Sequence, residues 1–347
     1  MVYFGRPLPR TQKALRVVMF FILLATGLLV MNIHAHIKHV TYSKKALFGN
    51  TSIMADTQEI KDIKSEIRNS KTNLQEAEAE EKIRTLKVLC WVPVAAKNHN
   101  TSARVVMETW GRRCDGLVFM SSVNDPSIGA VDLGVKETYN NLWLKTRSAL
   151  KYIYTRYLSD YDWFMKADDD TYVVVENLKY LLSSYDTSKP CVLGSRFYTG
   201  YFKAGYMTGG AGYALSRAAV RVFVEKALPD QEKCPLTWKK TGFPCEDVAL
   251  AKCLSEMGVK FIDTRDDKGR GRFFQQPLRA ALTDPKALLG RPFYKVTTGL
   301  NCCSDTAVTF HDLSASDLYM FDYLIYELRP YGAMNNVKFP PPVATGS

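Results

Sequence analysis

Three consecutive carboxylates, Asp168, Asp169 and Asp170, follow a short apolar run, Asp162-Trp-Phe-Met-Lys-Ala167. Adjacent carboxylates repel one another and are costly at a strand end unless a cation neutralises them. In an extended segment, alternate residues such as Asp168 and Asp170 share one side. Their hard oxygen donors suit Mn or Mg. Such an ion would bridge to a diphosphate and offset the charge that develops on a leaving group. The competing reading is a solvated acidic turn, and the apolar run before the triplet argues against it.

Other residue types could complete such chemistry. Glu246 and Asp247 open a predicted helix, Cys245 to Gly258. One reading is a general base, a role that contributes roughly 10²–10⁴-fold. The other is a pair of acids favoured by the helix macrodipole. The spacing does not separate these two neighbours. His311 follows a predicted strand, Ala307 to Phe310. Gly209, Gly210 and Gly212 allow close approach of backbone to a ligand, or form a plain tight turn. Arg104, Arg112, Arg113 and Lys145 carry charge suited to a diphosphate, and Trp110 could stack on a base. Each of these five also reads as surface charge or core packing.

These residues need a scaffold. Strand-like runs at 86–94, 117–121, 162–167, 192–198 and 259–262 alternate with helical patterns at 103–110, 141–157, 216–227 and 245–258. That alternation predicts an α/β domain with a largely parallel sheet. Ligands of such sheets sit at the carboxyl ends of strands, where the acidic triplet falls. A last amphipathic helix is expected over 314–328.

The flanks suggest a membrane protein. Residues 14–31 form a predominantly apolar run whose only charge is Arg16, about the length that spans a bilayer. Arg6, Arg10, Lys13 and Arg16 predict a cytoplasmic N-terminus over 1–13. A cleaved signal peptide is the alternative. Residues 32–85 are polar and read as a stem, either a spacer or a short helix through Ile60, Ile63, Ile67 and Leu74. A globular domain is expected over 86–332 and a proline-rich tail over 333–347. The eight cysteines and the acceptor triplets at Asn50 and Asn100 suit an oxidising lumen. No CxxC spacing supports a thiolate metal site. The formal charge of +11 is dispersed, which disfavours nucleic acid.

The motifs resemble a known family. Trp163-Phe-Met-Lys-Ala-Asp-Asp-Asp-Thr-Tyr172 is similar to the signature of the inverting GT-A β1,3-glycosyltransferase clan. Glu108-Thr-Trp-Gly-Arg-Arg-Cys114, Leu142-Trp-Leu-Lys-Thr146 and Gly205-Tyr-Met-Thr-Gly-Gly-Ala-Gly-Tyr213 sharpen the match. Glu246-Asp-Val-Ala-Leu250, the run from Cys302 to His311 and Tyr326-Glu-Leu-Arg-Pro-Tyr-Gly332 complete it. Together they resemble the core 1 β1,3-galactosyltransferase (T-synthase) family over about 86–332. The resemblance implies a GT-A fold and transfer of galactose from UDP-galactose to O-linked GalNAc on Ser or Thr of glycoproteins. It also implies Mn²⁺, a Golgi membrane, a luminal catalytic domain and a homodimer. By that resemblance Asp168, Asp170 and His311 hold the metal, and Asp247, with Glu246 as alternate, is the base. Tyr206 and Met207, beside Gly209 and Gly210, form an acceptor-side wall. Arg104, Trp110, Arg112, Lys145 and Asp169 are the expected nucleotide-sugar contacts. Cys90 pairs with Cys114 and Cys234 with Cys253. Cys302 and Cys303 bond to each other or elsewhere, and Cys191 and Cys245 are additions to the pattern that could form a further pair. Two rivals remain: a related enzyme with another donor or acceptor, and a non-catalytic chaperone-like relative. The segment 233–244 is longer than the family leads one to expect, which bears on acceptor choice.

Overall fold

The computed structural model describes residues 57–200, 203–237, 245–283 and 290–329. The chain divides into two compact units, residues 1–72 and 73–347. Helix α1 (Thr57–Thr85) runs through the span expected as a stem, so that part is helical. Among the described residues no helix is long and apolar enough to cross a membrane. The expected span 14–31 and tail 333–347 lie outside them.

In chain order the second unit continues with β1 (Val88–Pro93), α2 (Arg104–Glu108), β2 (Gly116–Ser121), β3 (Ala130–Asp132) and α3 (Leu142–Tyr157). Next come β4 (Trp163–Lys166), β5 (Tyr172–Val173), α4 (Val175–Leu182), β6 (Cys191–Gly194), β7 (Arg196–Phe197), β8 (Tyr206–Met207) and β9 (Tyr213–Ser216). The last elements are α5 (Arg217–Val222), α6 (Glu246–Glu256), β10 (Lys260–Ile262), β11 (Phe273–Phe274), α7 (Leu278–Thr283), β12 (Thr309–Phe310) and α8 (Ala315–Asp322).

Seven strands form one sheet in the order β10-β6-β9-β4-β1-β2-β3. All its pairings are parallel except those of β9, which is antiparallel to both β4 and β6. The expected parallel sheet is therefore mixed. The apolar runs of β1 and β4 follow from burial on both faces. Val88, Cys90 and Val92 pack into one core cluster, while Leu89 and Trp91 pack into the other. In β4, Trp163 and Met165 take the first side and Phe164 the second. A small sheet, β11-β12-β5, sets β12 antiparallel to β5.

Some elements differ from expectation. The single strand expected over 192–198 is two, because β6 belongs to the large sheet and β7 pairs with β8. The helix expected to reach Trp110 ends at Glu108, and Trp110–Arg113 form a 3-10 turn. Helix α8 gives way to a wider π turn at Tyr323–Glu327. Two helix ends were legible: the Ser216 hydroxyl caps α5 by accepting from the Ala219 amide, and Gly258 follows α6 with φ +73°.

The topology decides where the site lies. Strands β1 and β4 run parallel, so Pro93 and Lys166 end on one edge. The reversed β9 begins at that edge, with Tyr213 opposite Lys166. The glycine turn before β9 therefore lies beside the acidic triplet after β4. Asp170 is tied in turn to the last strand's exit, where the Leu313 amide donates to its carbonyl at 3.1 Å.

Candidate active site

Asp168, Asp170 and His311 each offer a ligand atom, and these atoms lie within 4.8 Å of one another. His311 Nε2 is 3.3 Å from Asp170 Oδ1. His311 Nδ1 donates to the Gln275 carbonyl at 2.8 Å. In the neutral ring that bond leaves Nε2 with its lone pair toward the carboxylates, the arrangement of a metal-ligating imidazole oriented by a backbone acceptor. Two carboxylates and one imidazole fit a divalent cation. Burial works against charge on His311, but Asp170 outweighs it and raises the imidazole pKa. Asp170 is correspondingly lowered: burial opposes its ionisation, and the bond and charge of His311 overcome that.

Asp169 turns elsewhere. Its carboxylate accepts from Asn98 Nδ2 at 3.0 Å and from the Ser102 hydroxyl. It braces the 98–102 turn rather than joining the other two aspartates.

A cavity of about 180 Å³ opens beside Asp168. Glu246, Asp247, Lys166, Lys145, Gly209 and Gly210 are among the residues lining it. Asp247 Oδ2 accepts the Gly209 amide at 2.8 Å and Oδ1 accepts the Val248 amide at 2.8 Å. Glu246 Oε1 accepts from Tyr213 OH at 2.7 Å and Thr146 Oγ1 at 3.0 Å. Burial raises both carboxyl pKa values. Lys166 opposes the rise in Glu246, and the two amide donors oppose it in Asp247. Groups held above the ordinary carboxylate range suit proton abstraction near neutral pH.

The glycine turn separates the two halves of the site. A Cβ on Gly209 would lie 3.2 Å from both Glu246 Oε2 and Lys166 Nζ. Gly212 needs glycine twice over, because its φ is +74° and a Cβ would meet the Lys166 carbonyl at 2.7 Å. The turn is tied down by Thr171 Oγ1 donating to the Gly210 carbonyl at 2.9 Å and Thr309 Oγ1 to the Ala211 carbonyl at 2.6 Å.

The remaining expected contacts divide. Met207 is buried in β8, and Tyr206 is half-buried. The Tyr206 hydroxyl is pushed up to about 12, first by burial and then by the charges of Asp247 and Cys245. Lys145 lines the cavity but is engaged, donating to the Val94 carbonyl at 2.7 Å and to Glu137 Oε1 at 2.8 Å. Arg104 holds Asn100 Oδ1 at 3.2 Å. Two expectations are corrected. Trp110 has no exposed surface and packs in the core, so it cannot stack on a nucleotide base. Arg112 binds Asp322 at 2.9 Å, and Arg113 binds the same carboxylate at 2.6 Å, so both anchor α8.

Three disulfides are present: Cys90–Cys114, Cys234–Cys253 and the adjacent pair Cys302–Cys303. Cys191 and Cys245 are unpaired rather than joined. Cys191 is enclosed in β6, while Cys245 lines the cavity. Sequence reasoning gave no role to Lys166, Tyr213, Thr146 or Gln275. For Lys166 a signal existed, because a lysine within an apolar strand must find buried partners. The partners of the other three come from distant segments.

The Fringe-like family profile matches residues 84–266. Over 272 residues the chain is 38% identical to glycoprotein-N-acetylgalactosamine 3-beta-galactosyltransferase 1 of Xenopus laevis, covering 77% of this chain and 73% of that protein. The chain belongs to this galactosyltransferase family. It is also 31% identical to the beta-1,3-glucosyltransferase of Homo sapiens over 170 residues, 48% of this chain and 32% of that protein. Among solved structures, LgtC matches 64% of this chain and 86% of its own, at 13% identity and a TM-score of 0.40. As a member of the galactosyltransferase family the chain is a glycosyltransferase. The candidate cation site and the acidic cavity are the parts of its structure that such chemistry would use.

Proposed function

We propose that this chain transfers galactose from UDP-galactose, with inversion, in β1,3 linkage to O-linked GalNAc on Ser or Thr of glycoproteins. Asp168, Asp170 and His311 hold the cofactor, which we take to be Mn²⁺. When bound, the ion supplies positive charge to the diphosphate of the departing UDP. Asp247 is the base, with its neighbour Glu246 as the alternate. It takes the proton from the acceptor hydroxyl as that oxygen bonds to the anomeric carbon. UDP leaves from the opposite face with the electrons of the broken bond. Tyr206, Met207, Gly209 and Gly210 border the acceptor, and Lys145 lies on the donor side.

One observation carries this reading. Asp168 belongs both to the metal-ligand triad and to the cavity lined by Glu246 and Asp247. A cation-held leaving group and a base would therefore face a common substrate. A non-catalytic relative has no need of that juxtaposition.

The same reading extends to the whole chain. It is a single-pass type II Golgi membrane protein with a cytoplasmic tail over 1–13 and an anchor at 14–31. A stem over 32–85 leads to a luminal catalytic domain over 86–332 and a tail over 333–347. It acts as a homodimer.

The test is UDP release with Mn²⁺ and a GalNAc-peptide, for the wild type and Asp170→Ala. Release by the wild type alone supports the reading, whereas equal release by both proteins rejects it. A panel of UDP-sugars and acceptors then decides among donors, including glucose.

A further inference from the structure

Lys166 closes β4 with its side chain only 3% exposed. A lone ammonium in such a place costs several kcal/mol unless fully partnered. Its Nζ lies 2.7 Å from Asp168 Oδ1 and donates to the Gly209 carbonyl at 2.9 Å. The Gly209 amide, on the same residue, donates to Asp247 Oδ2 at 2.8 Å. Glu246 Oε2 lies on the same side of Gly209 as the ammonium. One glycine is thus gripped through its carbonyl by a cation and through its N–H by the carboxylate proposed as base. The ammonium also grips the first aspartate of the cation site.

We propose that Lys166 is a positioning residue for the transfer reaction, aligning the Gly209 turn with Asp247 and setting a positive charge beside the Glu246–Asp247 pair. This inference rests on the function proposed above. Lys166, one of the residues lining the cavity, acts through Gly209 and through its charge. Removing that charge leaves two carboxylates in a partly buried site with weaker reason to stay ionised.

The groups facing this pair come from several elements. Lys166 and Asp168 lie at the end of β4, and Tyr213 opens β9. Tyr206 of β8 and Cys245 before α6 are near Asp247. Tyr139, in the turn before α3, and Lys145 of α3, already neutralised by Glu137, complete the set. Among the described residues of this set, Lys166 is the one cation not committed to a carboxylate outside it.

The experiment compares the pH profiles of kcat/KM for the wild type, Lys166→Met, Lys166→Gln and Lys166→Arg, with thermal unfolding as a check on folding. A nearby cation lowers a carboxylate's pKa, so its loss raises that pKa. The acid limb should move up by about 1 pH unit in Lys166→Met and Lys166→Gln. Turnover at the optimum should also fall about 10–100-fold, as for residues that orient catalytic ligands. Lys166→Arg, which keeps the charge, should return the limb toward the wild-type position. A folded Met or Gln variant with an unmoved limb overturns the inference. So does failure of both uncharged variants to fold, which would make Lys166 a folding residue. A wild type that transfers no galactose defeats the proposed function instead, and the two failures are distinct.

Discussion

Gly210 lies against His311 so closely that a Cβ on the glycine would sit 2.5 Å from Cε1 and 2.6 Å from Nε2 of the imidazole. Real contacts of that kind do not occur, so any side chain at this position must displace the ring or the turn. Gln275 cannot yield easily, because its carbonyl holds Nδ1 and its side-chain oxygen accepts the Ala211 amide at 3.0 Å. Gly210→Ala should therefore weaken cation binding and activity about 10–100-fold. A Mn²⁺ titration of activity, with unfolding monitored, checks this. Wild-type Mn²⁺ dependence in the folded variant would contradict it.

With Asp247 as the proposed base and Glu246 beside it, these two carboxyls should set the acid side of the pH profile. Burial raises both above the ordinary carboxylate range. A base works only when deprotonated, so activity should be lost at a higher pH than that at which a solvent-exposed aspartate titrates. Asp247→Asn should lower kcat by about 10²–10⁴-fold, the range for a positioned general base. A kcat profile against pH, measured with saturating substrates, reads both effects.

The Cys234–Cys253 bond links the segment before α6 to that helix, across 19 positions. Closing a loop of this size stabilises a fold by about 3 kcal/mol through the unfolded chain. Replacing both cysteines by serine should lower the melting temperature accordingly. Because the loop contains Asp247, the folded variant should also lose turnover, measured below its new transition.

Asp322 is the shared acceptor of Arg112, Arg113 and the Tyr172 hydroxyl, the last at 2.9 Å. Removing one partner from such a cluster strands the others. Asp322→Ala should cost about 3–5 kcal/mol, visible by denaturant unfolding. Arg112→Ala should leave the KM for the sugar nucleotide near the wild-type value, since that guanidinium serves the last helix. A large rise in KM would restore it to the donor site.

Sequence alone determined the alternation of elements, because runs such as Val88–Pro93 and Trp163–Lys166 must be buried on both faces. It also marked the acidic triplet, the glycine turn and the acid pair at the start of α6, since each is a local concentration of unusual chemistry. Tertiary structure decided which of these meet. The reversal of β9 brings Gly209 and Gly210 to the edge where β4 ends, and no local pattern encodes that reversal. Three adjacent aspartates are equivalent by type, yet Asp169 turns to Asn98 and Ser102 while its neighbours face His311. Arginine and tryptophan suit a nucleotide by composition, but Trp110 is enclosed and Arg112 is spent on Asp322. Charge and aromaticity are properties of a residue; partners more than a hundred positions away are properties of the fold.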